Sequence, residues 1–268
     1  MRIALGISYR GTGFQGWQSQ PNGLTVQDAL QTALTQFCAV EHLVEVVCAG
    51  RTDTGVHASN QVVHFDTSLQ REEFSWVRGV NAFLGAEVRV QWAREVPDSF
   101  HARFSAQRRR YRYLLRQSAV QPPQTEGIVG WTHHPLELLA MQTAVQHWLG
   151  THDFSAFRSS QCQAATPVRT LHRFEIAEYV DARGTWWVFT LEANAFLHHM
   201  VRNLLGMLIY IGAGRKPPQW ASEVLESRNR SQAAPTFMAC GLTLDGVQYL
   251  REFALDPLTW VETPIILA

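Results

Sequence analysis

Two apolar, strand-like runs, Val44 to Ala49 and Gln61 to Phe65, are separated by Gly50-Arg51-Thr52-Asp53-Thr54-Gly55-Val56-His57-Ala58. This pattern predicts a strand, a turn and a returning strand, because glycines at both shoulders of the turn reach backbone angles denied to other residues. It also leaves one carboxylate, Asp53, where the chain turns back. Gly50 and Gly55 permit close approach of a ligand to the backbone, and Arg51 sets a guanidinium two residues from the carboxylate, able to keep it ionised. An anionic nucleophile beside a cation is one reading of the segment. The other is an Asx-turn in which Asp53 hydrogen-bonds its own backbone.

On either side, hydrophobic periodicity predicts an α+β protein. Ile3 to Tyr9 reads as a strand, and Thr25 as the N-cap of a helix to about Phe37, with Asp28 at the capping-box position. A helix over Glu73–Phe83, a strand over Val88–Val96 and an alternating strand over Tyr111–Arg116 follow. Around Gln121-Pro122-Pro123-Gln124 the pattern breaks, which divides the chain into halves of 1–117 and 118–268. The second half offers a helix over Leu136–Leu149, loop from Thr151 to Pro167, strands over Leu171–Tyr179 and Trp186–Ala193, a strong helix over Phe196–Ile211 and a last strand over Leu242–Leu250. Strands packed by helices recur in similar order. The economical architecture is a pseudo-duplicated α+β fold whose halves contribute to one antiparallel or mixed central sheet.

The chain has 268 residues, 46% of them hydrophobic, which is ample for a core. Its 23 basic and 23 acidic side chains cancel, so a polyanion partner would have to be held by local clusters. One exists: Arg108, Arg109, Arg110, Arg112 and Arg116 interleave with Tyr111 and Tyr113. The four cysteines, Cys38, Cys48, Cys162 and Cys240, lack any C-x-x-C spacing and suggest neither a zinc site nor a disulfide framework. A reducing cytoplasm suits them. No run of about 18 apolar residues occurs, so no membrane span is expected.

Three further motifs need weighing. Gly11-x-Gly13-x-x-Gly16 follows a strand as a dinucleotide fingerprint does, but Trp17 to Gly23 continues as loop where that motif needs a helix N-terminus for pyrophosphate. A structured loop able to touch RNA through Gln18 or Gln20 is the better expectation. His198 and His199 adjoin on a predicted helix, where neighbours point about 100° apart and cannot readily share one metal. On the same helix Leu197, Val201, Leu204, Leu205 and Leu208 form a buried stripe, while His198, Arg202 and Gly206 form a second, with Arg202 over a glycine that another segment can approach. Arg202 is then either a surface arginine or a carboxylate partner. Tyr111 and Tyr113 share one sheet face, so one can be core and the other a floor on which a base stacks; periodicity does not say which.

Taken together, these segments resemble the tRNA pseudouridine synthase A family. Tyr9 to Gln20 resembles its Y-x-G-x-x-F-x-G-W-Q-x-Q segment, Gly50 to His57 its G-R-T-D-A-G-V-H motif, and Phe100 to Ala106 its F-H-A-R-F-S-A. Arg109-Tyr111-Arg112-Tyr113, Asn194 to Asn203 as N-A-F-L-H-H-M-V-R-N, and Gly241-Leu242 then follow in family order. Thr54 stands where alanine is usual, and Arg10 where an acidic residue is common. Neither removes a group the chemistry needs.

The resemblance implies the pseudouridine synthase fold, with a cleft between the halves. It also implies isomerisation of uridine to pseudouridine on the 3′ side of the tRNA anticodon stem-loop, at positions 38 to 40, by a cytoplasmic homodimer using no cofactor and no metal. On that expectation Asp53 is the nucleophile, attacking ribose C1′ or uracil C6, and the extruded uracil stacks on Tyr111. Arg51 holds the extruded nucleotide's place or its backbone, Arg202 pairs with Asp53, and Leu242 joins the substrate site. The residues also admit a non-catalytic RNA-binding protein, or an N-glycoside hydrolase, which would want a second acid near the first.

Overall fold

The computed structural model describes residues 1–260. Among these residues the chain forms two compact units, one comprising Met1–Arg108 and residues 243–260, the other Arg109–Leu242. The sequence boundary at 117/118 lies at the end of a strand, Arg108–Gln117. The chain returns to the first unit at Thr243, where a strand pairs with His57 and Ala58.

The first unit is built on β1 (Arg2–Tyr9), β2 (Val47–Cys48), β3 (His57–Asp66), β4 (Val88–Val96) and, in the returning segment, β10 (Leu242–Gln248). β1 lies antiparallel between β4 and β3; β10 runs parallel to β3, and β2 pairs antiparallel with it. β1 is buried almost throughout, as its near-continuous apolar run requires of a central strand. Helix α1 (Val26–Cys38) is capped by Thr25, whose side chain accepts from the Asp28 backbone N–H. It meets α2 (Glu73–Asn81) through Phe37 and Trp76, whose rings pack edge-on at 5.3 Å. Of the run Val44 to Ala49 only Val47–Cys48 is strand.

The second unit places β5 (Arg108–Gln117) between β6 (Gly130–Thr132), parallel to it, and β9 (Gly184–Ala193), antiparallel; β8 (Val168–Asp181) and β7 (Gly150–Asp153) continue antiparallel from β9. Its helices are α3 (Leu138–Gln146), α4 (Met200–Gly212) and α5 (Trp220–Ser227). The expected α+β class, with mixed sheet flanked by helices, holds. Within α4 every residue except Arg202 and Tyr210 is buried, so this helix is core and its polar residues have specific duties. Among the described residues no helix is long and apolar enough to cross a membrane.

Candidate active site

In the first unit the turn around Asp53 is held from two sides. Gln61, fully buried, grips its first shoulder: its side-chain amide donates to the Gly50 carbonyl at 2.6 Å and accepts from the Gly50 N–H at 3.4 Å. The Val56 N–H donates to the Asp53 carbonyl at 3.1 Å, and Gly55 takes φ +78°, closing a tight turn. Between these shoulders Thr52 is buried and tied down by both its groups. Its hydroxyl shares a 2.8 Å hydrogen bond with the Tyr9 hydroxyl, and its carbonyl accepts from the Trp17 N–H at 3.0 Å. Asp53 is half-buried, while Arg51 and Thr54 are exposed. A buried, anchored neighbour therefore fixes the backbone from which the Asp53 carboxylate projects, which is the preorganisation a nucleophile needs.

The loop after β1 supplies the other wall. No helix opens at Gly16, since α1 begins at Val26, and the glycines serve packing against the Asp53 turn. A Cβ on Gly11 would stand 2.1 Å from the Val56 carbonyl oxygen, and one on Gly16, already at φ +84°, 2.9 Å from the Thr52 carbonyl oxygen. The Gly11 N–H also donates to His57 Nδ1 at 3.0 Å, so a neutral His57 carries its proton on Nε2. The unusual Arg10 is met by Glu87, at 3.9 Å from its Nε.

In the second unit the two tyrosines of β5 take different parts. Tyr113 is fully buried, its ring 5.7 Å from Phe237 and its hydroxyl donating to the Met238 carbonyl at 3.3 Å. Burial and the Cys240 sulfur hold its phenol well above the usual tyrosine range, against the pull of Arg202. Tyr111, on the same face, retains 8% exposure and meets Phe196 edge-on at 5.2 Å. Tyr113 is thus the core residue of the pair. The arginines interleaved with them are largely committed within the unit: Arg110 pairs with Glu192 at 2.8 Å, Arg116 forms a two-pronged pair with Asp181, and Arg109 donates to the Asn194 carbonyl. Arg108 remains exposed.

Arg202 sits two residues into α4. Its Nε donates to the Phe237 carbonyl at 2.9 Å while the Phe237 N–H donates to the Arg202 carbonyl at 3.1 Å. The close approach expected over Gly206 occurs, because a Cβ there would lie 2.3 Å from the Pro235 carbonyl oxygen. Leu242 is buried at the start of β10, next to Gly241 at φ +92°, whose carbonyl accepts from Leu114 on β5. The second unit therefore gathers Arg202, Tyr113 and the Gly241–Leu242 turn about β5, with Tyr111 one pleat further along. Asp53 and Arg51 share their turn in the first unit.

One expectation fails. His198 and His199 precede α4; His199 is its N-cap with φ +65°, and the two rings are 4.1 Å apart. The angular argument that set them apart on a helix does not apply. Two polar residues quoted within their motifs were given no role of their own from the sequence. Thr52 carries no signal beyond its motif. Asn203, fully buried in apolar α4, bonds the Phe157 carbonyl, Thr236 and Arg230, and its isolation among leucines is the signal.

The pattern of the tRNA pseudouridine synthase family matches residues 7–105 and 144–250. A curated tRNA pseudouridine synthase A of Bordetella petrii is 57% identical over 255 residues, covering 95% of this chain and 94% of that protein. Those of Burkholderia multivorans and Acidovorax sp. are 56% and 52% identical, covering 96% and 97% of this chain and 93% and 97% of theirs. The chain belongs to the tRNA pseudouridine synthase family.

Proposed function

We propose that the protein isomerises uridine to pseudouridine in the anticodon stem-loop of tRNA, with Asp53 as nucleophile. The observation that carries the assignment is the Asp53 turn: a half-buried carboxylate on a backbone anchored at Thr52, Gly50 and Val56, in a chain matched along nearly its whole length by proteins named for this reaction. The N1–C1′ bond breaks, the uracil turns, C5 bonds to C1′, the C5 proton leaves and N1 takes up a proton. Electrons and atoms balance without oxidant, reductant or water, so the chemistry calls for no cofactor. Asp53 opens the sequence by attack on the nucleotide. Tyr111 offers a ring face to the extruded uracil, at a cost of a few kcal/mol in unstacking that stacking and phosphate contacts offset. Arg51 and Arg202 supply cations to the substrate site, and Leu242 shapes it.

The family resemblance extends the proposal to a cytoplasmic homodimer, which light scattering of the purified protein tests. For the reaction itself the test is tRNA carrying tritium at uracil C5. Wild type is expected to release label to water and yield pseudouridine without free uracil, whereas Asp53→Asn binds tRNA and releases none. Free uracil would indicate a glycoside hydrolase instead. Binding without release by wild type would leave an RNA-binding protein.

A further inference from the structure

The segment Phe100 to Ala106 is not used by the mechanism above, yet it is the most deliberately built exposed feature of the first unit. Phe104 leaves 75% of its surface in solvent. An exposed phenylalanine is ordinary by itself; Phe74 on α2 is 66% exposed and simply borders Arg78. Phe104 differs in being held. Its ring stacks on His101 at 4.3 Å and 29°, and His101 packs against His64 at 4.9 Å, so three rings rise in series from the buried sheet to the surface.

The turn beneath them is fully wired. The Arg103 and Phe104 N–H groups both donate to His101 Nδ1, the Ser105 hydroxyl accepts from the His101 N–H, and the Ser105 N–H returns a bond to the His101 carbonyl. One layer down, His64 Nδ1 accepts from the Ala102 N–H. Tyr249 donates to the Ala102 carbonyl at 2.8 Å, and Arg2 to the carbonyls of Asp98 and Phe100. Such wiring gains little by burying Phe104, whose face stays in water. It gains a fixed direction for that face.

Arg103, exposed, sets its guanidinium 5.7 Å from the centre of the Phe104 ring. A rigid aromatic face with a cation at its side is the arrangement that takes a nucleobase by stacking while holding a neighbouring phosphate. The platform rests on the strand pair that leads into the Asp53 turn: His101 packs on His64, and His64 is paired with Val47 at the start of β2, a few residues before Asp53.

We propose that Phe104, with Arg103 beside it, is a stacking platform for an unpaired base of the RNA substrate next to the nucleotide that Asp53 attacks. It rests on the assigned reaction for the identity of the RNA. Phe104 acts here as a positioning residue, touching a flanking base and leaving bond-making to Asp53.

The test compares Phe104→Ala and Phe104→Trp with wild type, using full-length protein. Dissociation constants are measured by filter binding in the Asp53→Asn background, and KM and kcat by tritium release in the active one. Phe104→Ala is expected to raise both the dissociation constant and KM for tRNA by about five- to a hundred-fold, the range of one lost base stack. Saturated kcat should change far less, Phe104→Trp should restore affinity, and binding of a fully paired RNA duplex should be unaffected. Thermal unfolding should be unchanged, since the ring buries little.

Equal tRNA affinity in Phe104→Ala and wild type would overturn the platform, as would an equal loss on the duplex. A change in oligomeric state without a change in RNA affinity would overturn it in favour of a protein contact. Failure of wild type to release label, with Phe104→Ala still weakening tRNA binding, would sink the assigned reaction and leave the platform standing.

Discussion

Gly11 lies so close to Val56 that a Cβ on it would stand 2.1 Å from the Val56 carbonyl oxygen. The obstacle is backbone, so no side chain can turn aside to relieve it. Gly11→Ala is expected to push the Asp53 turn outward and break the bond from the Gly11 N–H to His57, costing about 1–3 kcal/mol as an overpacked site. Turnover per folded molecule should fall as well, because the displaced segment carries Asp53. Gly13, with open space where its Cβ would be, is the control. Urea unfolding and tritium release on Gly11→Ala and Gly13→Ala should separate the two clearly.

Two residues apart on one strand, Tyr111 and Tyr113 should give opposite phenotypes. Tyr113→Phe removes a buried donor from the Met238 carbonyl and is expected to cost about 1 kcal/mol of stability with kcat intact. Tyr111→Ala should lower pseudouridine formation by about ten- to a hundred-fold through lost stacking, measured in single turnover at a temperature where circular dichroism shows both variants folded. Equal activity losses in the two variants would contradict the division of labour.

Local patterns carried much of this fold. β4 spans the residues its alternation predicts, and α1 starts where Thr25 caps it. What escaped is what distant partners decide. The helix expected from Phe196 begins at Met200, because the backbone ahead of it is captured: Ser159 donates to the His198 carbonyl, and the His198 N–H points to the Cys162 sulfur at 3.4 Å. α5 went unread, an eight-residue helix following two prolines. The glycines after β1 were legible as a loop and not as the spacing of two touching backbones. The Asp53 turn was legible from its glycines and its lone carboxylate, whereas Tyr111 was singled out only through motif order, since nothing in a period-two strand distinguishes it from Tyr113.

The arginine cluster along β5 should prove divided in its contribution to RNA binding. Arg110 is 4% exposed and its partner Glu192, also bonded to Arg173 at 3.3 Å, 6%. Glu192→Ala removes the carboxylate that faces buried Arg110 and is expected to destabilise by about 3–5 kcal/mol, whereas Arg110→Met with Glu192→Leu should recover much of that loss. Exposed Arg108 belongs to the other class. Arg108→Gln should leave stability within about 0.5 kcal/mol, and it should reduce the slope of log affinity against log salt for tRNA by about one if it meets a phosphate. Filter binding over a salt series, with denaturant melts, reads both effects.

The ring series beneath Phe104 should make stability depend on pH in the mildly acidic range. His64 is 4% exposed, and burial, with the charges of Arg2 and His101 nearby and Asp66 opposing, lowers its pKa from 6.5 to about 4. Above pH 6.5 the imidazole is neutral folded and unfolded, and contributes no pH dependence. As pH falls below that value the unfolded chain takes up a proton the folded one refuses, so stability declines until about pH 4, where both are protonated. The full loss is on the order of 3 kcal/mol. His101 is shifted in the same direction, for burial and the nearby Arg2, and adds to the slope. His64→Asn keeps an acceptor for the Ala102 N–H while removing the titration. Its unfolding free energy, measured in urea between pH 4 and 7, should therefore fall less steeply than that of wild type, and parallel curves would show that His64 is not the group responsible.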